Sequence, residues 1–130
     1  MMRKLVIPAL VIALCSLIYL FFGNDKVSVI DAHYDGNTAQ IIVNNLPSAE
    51  SRKIEWWINN REKILDKYNI PSGNNMPFLI AIYALGKGYQ AQGNEDRLCF
   101  SDMKPPKNCI DKNILMIIWR TREGGVKYQF

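Results

Sequence analysis

Phe78-Leu79-Ile80-Ala81-Ile82-Tyr83-Ala84-Leu85 is eight consecutive residues without a charge, bounded by Pro77 and Gly86. An amphipathic helix would interrupt such a run every third or fourth position. The length and the flanking Pro and Gly instead predict a buried strand at the centre of a sheet.

Working outward from that strand, the C-terminal side supplies partners. Asp96–Phe100 reads as a short strand, and Ser101–Asn108 as a loop stiffened by Pro105-Pro106. Asn113–Arg120 contains Ile114-Leu115-Met116-Ile117-Ile118-Trp119, a second buried strand. Glu123-Gly124-Gly125 turns the chain into a last strand, Val126–Phe130.

On the N-terminal side, Ile54, Trp57, Ile58, Arg61, Leu65 and Tyr68 step by three and four. This predicts a helix over Ala49–Tyr68, with Ser48 as its N-cap and Asn69 and Pro71 closing it. Before it, Lys26–Tyr34 and Thr38–Val43 are rich in β-branched residues and flank Asp35-Gly36-Asn37. They predict a hairpin, because Asp, Gly and Asn tolerate the backbone of a tight turn. The sum is six strands and one long helix. The fold class is α+β: a small antiparallel sheet with the helix packed on one face.

Leu5–Phe22 contains no charge at all. As a helix it would be roughly 27 Å long, close to the ~30 Å hydrocarbon layer of a bilayer. Arg3 and Lys4 precede it, and bulky rings rather than small residues follow it. That pattern predicts an uncleaved anchor rather than a removable signal. The chain divides into a cytoplasmic N-terminus (1–4), a transmembrane anchor (5–22) and an extracytoplasmic domain (23–130). The positive-inside rule sends the domain across the membrane, which in a bacterium means a periplasmic domain on the inner membrane. Cys99 and Cys109 both lie in that domain and are predicted to form a disulfide in an oxidising compartment. Cys15 lies in the anchor as a small apolar side chain.

Charge excludes some partners. The chain holds sixteen basic and twelve acidic residues. Without Arg3 and Lys4 the domain has fourteen against twelve, too balanced for a nucleic-acid face.

Five segments taken in order carry a family resemblance. They are Ile54-Glu55-Trp56-Trp57, Lys67-Tyr68-Asn69-Ile70-Pro71, Gly86-Lys87-Gly88-Tyr89, Asp96–Lys104 and Asn108–Asn113. Together with the apolar N-terminus they resemble the enterobacterial membrane proteins grouped as domain of unknown function 943. The resemblance implies a membrane location and no activity.

No chemistry-bearing constellation assembles from the sequence. His33 is the only histidine, so it has no second imidazole with which to share a metal. Gly86-Lys87-Gly88 lacks the second half of a phosphate-binding fingerprint. Asp96 and Asp102 read as turn residues paired with Arg97 or Lys104. No cofactor and no metal are expected. Trp56 cannot share the apolar stripe of its neighbour Trp57, because adjacent helical residues point about 100° apart. It is therefore a candidate for a partner surface, as is the rigid basic tip Lys104-Pro105-Pro106-Lys107. The expected function is a non-catalytic, membrane-tethered module that binds an unknown protein. By analogy it is an immunity-type protein against an envelope toxin. The alternatives are an accessory subunit of an envelope complex, or a small periplasmic enzyme built around His33 or the Asp96–Asp102 region.

Overall fold

A computed structural model describes residues 26–130, together with Ile12 and Leu14, which are both helical. The anchor expected at 5–22 otherwise lies outside the described residues. Among the described residues no helix is long and apolar enough to cross a membrane.

The described chain is α+β. In order come β1 (Ser28–Tyr34), β2 (Thr38–Asn44), α1 (Glu50–Lys67), a short 3-10 turn (Gly73–Asn75) and β3 (Leu79–Ala84). There follow β4 (Arg97–Cys99), β5 (Cys109–Asp111), β6 (Ile114–Arg120) and β7 (Val126–Gln129). The main sheet has the order β1-β2-β3-β6-β7, which places Leu79–Ala84 at its centre as the apolar run predicts. The β1–β2 turn forms as expected. Gly36 adopts a φ of 99°, and the Asp35 carboxylate accepts from the amides of Asn37 and Thr38. Those amides hold the Asp35 carboxyl below the usual carboxylate range.

Three expectations need correction. The sheet is not wholly antiparallel: β2 and β3 run parallel. The cause is α1, which carries the chain from the end of β2 back to its start, so that β3 sets out in the same direction. The strands also number seven among the described residues. Cys109–Asp111 is a strand that pairs antiparallel with β4 as a separate two-stranded sheet. The helix begins one residue later than expected, with Ala49 rather than Ser48 at its N-cap. At its far end Asn69 takes a φ of 55°, the left-handed conformation that stops a helix.

Both faces of the sheet are covered. Against the first, Trp57, Ile64 and Leu65 of α1 pack on Ile41, Val43, Ile80, Ile82, Met116 and Ile118. Against the second, Phe100 and Ile110 of the small sheet pack on Ile42, Ala81 and Tyr83. This double burial is why Ile41-Ile42-Val43 and Ile80–Tyr83 are apolar at every position rather than at alternate ones.

A bulge in β1 decides what the second face contains. The register of β1 on β2 shifts between Val29 and Asp31, leaving Ile30 exposed. Val29 lies over the helix-side core, and so do Ala32 and Tyr34. Without the extra residue Asp31 and His33 would share the face of Val29, since strand side chains alternate. The bulge turns both onto the second face.

Candidate functional site

His33 is buried, and its ring is stacked on Phe100 with centroids 3.7 Å apart. Its Nδ1 meets the Asp102 carboxylate at 2.7 Å and its Nε2 meets the Tyr89 hydroxyl at 2.9 Å. The Tyr89 hydroxyl donates to Asp31 at 2.6 Å. Asp31 also accepts from the Ala32 amide through its other oxygen. The result is a continuous relay, Asp102–His33–Tyr89–Asp31.

Three segments far apart in sequence meet here: β1, the β3–β4 connection and the β4–β5 loop. The small sheet holds its side in place by its own ties. Cys99 and Cys109 are disulfide-bonded across β4 and β5. Gln90 exchanges backbone hydrogen bonds with Cys109, which fastens the β3–β4 connection to the hairpin. Arg97 donates to Asp111, Glu95 and the carbonyls of Ala91 and Gln92. The guanidinium beside Asp111 holds that carboxyl below its usual range.

Donor accounting sets the chemistry of the relay. The single hydroxyl hydrogen of Tyr89 goes to Asp31, and the Tyr89 oxygen lies within hydrogen-bond distance of His33 Nε2. Asp102 as a carboxylate accepts from Nδ1. Both ring nitrogens are thus engaged by protein groups, and Phe100 covers one ring face. Burial, the Asp31 hydrogen bond and the charges of Asp31 and Asp102 together push the Tyr89 hydroxyl well above its ordinary value. The relay ties β1 to the β3–β4 connection and to the β4–β5 loop.

At one end of the sheet lies a cleft of about 890 Å³. Its walls come from the last turns of α1 (Arg61, Glu62, Leu65, Asp66), the 72–76 turn, and the β6–β7 turn with Arg120 and Arg122. Arg120 donates to the Asn74 carbonyl at 2.7 Å and so braces two of the walls against each other. Arg61 and Arg122 have no hydrogen bond or ion pair among the described residues. The Arg61 charge is felt by Tyr128, whose hydroxyl is nonetheless raised by burial.

The surface residues singled out from sequence fall on two sides of the molecule. Trp56 is half-buried against the helix-side core and tilted on Trp57, with ring centroids 6.5 Å apart. Lys104, Pro105, Pro106 and Lys107 are exposed on the β4–β5 loop, over the opposite face. The sheet stands between them, so they do not form one continuous surface. The pairings expected for Asp96 and Asp102 are also different. Asp96 pairs with Lys112 at 2.7 Å, and Asp102 with His33. Sequence reasoning missed the relay and the cleft. The relay spans 69 residues between His33 and Asp102 and depends on the β1 bulge. The one available signal for the cleft was the spacing of Arg120 and Arg122 beside a Gly-Gly turn.

Among the described residues no three His, Cys, Asp or Glu side chains are grouped so as to hold a metal ion. None of the curated proteins and none of the solved structures matches the chain. The family model for "Enterobacterial putative membrane protein (DUF943)" matches residues 1–130, as the ordered sequence segments predict, and the protein belongs to that family.

Proposed function

We propose that the protein is a non-catalytic binding module. It is held to the inner membrane by residues 5–22, with its N-terminus in the cytoplasm and its folded domain in the periplasm. One observation carries this reading: the domain has two different ends. The chain enters at Ser28, which pairs with Asn44 at the end of β2. The arginine-walled cleft opens beside the end of β6 and the approach to β3, at the opposite end of the strands. A tether at residues 5–22 would therefore sit on the membrane side and present the cleft away from the bilayer.

Two further features support it. A disulfide that closes the small sheet suits an oxidising compartment. The burial of His33 against Phe100 suits a relay that joins segments within the fold. An immunity-type neutraliser and an accessory envelope subunit both fit within this reading, and the identity of the partner separates them. The test is made in cells with the full chain. Alkaline phosphatase fused after Phe130 should be active. A photo-crosslinking residue at Thr121 in the cleft should trap an envelope protein that the same residue at Ser51, on the membrane-side turn of α1, does not. A reporter active only in the cytosol, or equal trapping from both positions, overturns the proposal.

A further inference from the structure

Six arginines and ten lysines occur in the chain. Three of the arginines, Arg61, Arg120 and Arg122, line this cleft, and no lysine does. That partition matters because guanidinium is a planar fork matched to a carboxylate, whereas ammonium is a compact point charge. Arg97 shows what the chain does with a structural arginine: Asp111, Glu95 and two carbonyls take up its donors. Among the described residues Arg61 and Arg122 have no such partners. Arg120 links two of the walls through Asn74, which fixes their position relative to each other.

We propose that this cleft binds an acidic segment of a protein, with carboxylates seated on Arg61 and Arg122. The assignment deepens the binding-module reading above and rests on it. The size fits: about 890 Å³ lies in the upper range of ligand sites, and it accommodates several residues of peptide rather than one small anion. Leu65 and Met76 supply apolar floor for the stems of the incoming side chains. Glu62 and Asp66 on the helix wall discriminate by repulsion. They disfavour a dense polyanion, such as nucleic acid or a highly phosphorylated surface, and leave room for separated single carboxylates. The position at the end of the strands away from Ser28 argues for a protein rather than the headgroups of the anchoring membrane.

The experiment uses the full chain in a nonionic detergent and a fluorescein-labelled hexapeptide containing two glutamates, followed by anisotropy. A matched peptide with glutamines in their place is the reference. The wild type should prefer the Glu peptide by about tenfold at low salt, and the preference should shrink as salt screens the pairs. Arg61→Gln and Arg122→Gln should each reduce it about threefold, and the double variant should bind both peptides equally. Lys104→Gln with Lys107→Gln, on the other face, should leave it unchanged. Equal binding of the two peptides by the wild type overturns the proposal, as does a preference that survives in the double variant. Displacement by inorganic phosphate at concentrations where acetate has no effect also overturns it, because the site would then select phosphate. Any of these failures leaves the Thr121 trapping result standing, so the cleft assignment and the module reading can fail separately.

Discussion

The two faces of the central sheet are covered by different means. On the helix side an 18-residue helix lays Trp57, Ile64 and Leu65 into a continuous apolar layer. On the other side two three-residue strands and their loops do the covering, with Phe100 and Ile110 buried and Tyr89, Leu98 and Met103 partly buried beside them. A cover that small cannot hold itself in place by burial alone. The structure adds a disulfide, the Arg97 fan and the Asp102–His33–Tyr89–Asp31 relay. Where apolar area is short, covalent and polar ties take over, and polar ties are sensitive to chemistry that the helix side would not notice.

The largest expected effect breaks the helix side. Trp57 is 1% exposed and is the largest fully buried side chain among the described residues. Trp57→Ala should cost about 3–5 kcal/mol, through lost burial and the cavity left behind. Denaturant unfolding should show the midpoint falling for both faces together, since α1 is part of the larger of the two core clusters among the described residues. A variant that unfolded one face and kept the other would contradict the shared core.

The next effect sharpens the contrast. Cys99→Ser with Cys109→Ser removes the crosslink over a sequence separation of 10. The chain-entropy model assigns such a loop roughly 3 kcal/mol. The loss should be local: hydrogen exchange should accelerate across residues 97–111 while β2 and β3 stay protected. Uniform acceleration over the whole sheet would mean that the second cover is as integral as the helix.

The same asymmetry separates what was legible in the sequence from what was not. The helix side could be read directly. Three-and-four stepping marked α1, Asp35-Gly36-Asn37 marked the hairpin, and the unbroken run Phe78–Leu85 marked the centre of the sheet. Each is a local signal of period or turn chemistry. On the second face the disulfide was legible, because two cysteines offer a single pairing in the domain. The rest was not. Cys109–Asp111 is too short to show any period. The bulge at Ile30 reverses the alternation, so that Asp31 and His33 move to the face opposite Val29. Counting by twos from Val27 would put them under the helix. His33 then finds Asp102, 69 residues on, and Tyr89, 56 residues on. Nothing in the local sequence announces partners at that range. The parallel pairing of β2 and β3 was missed for a related reason: tight turns constrain only the strands they join.

The smallest expected effect isolates the relay. Tyr89→Phe keeps the ring that packs edge-on against Phe100 and removes only the hydroxyl. Near neutral pH the cost should be about 1 kcal/mol, from two lost hydrogen bonds partly replaced by water. The informative part lies in alkali. An ordinary tyrosine ionises near 10.0, and the Tyr89 hydroxyl in the folded protein is held above that, first by burial and then by Asp31. Above about pH 10 the unfolded chain therefore gives up a proton that the folded chain keeps. The folded state binds more protons, so stability falls as pH rises. The contribution is complete below the unfolded value and is lost as pH climbs toward the folded one. Tyr89→Phe has no such proton to lose, so its stability should fall less steeply between pH 10 and higher pH. The gap from wild type seen at pH 7 should then narrow. It should not remove the slope altogether, because burial also raises the hydroxyls of Tyr83 and Tyr128. Urea midpoints for both proteins at pH 7 and through the alkaline range provide the measurement. Curves that stay parallel would show that the Tyr89 hydroxyl titrates alike in both states, and the second face would then be held by its disulfide and apolar contacts rather than by the relay.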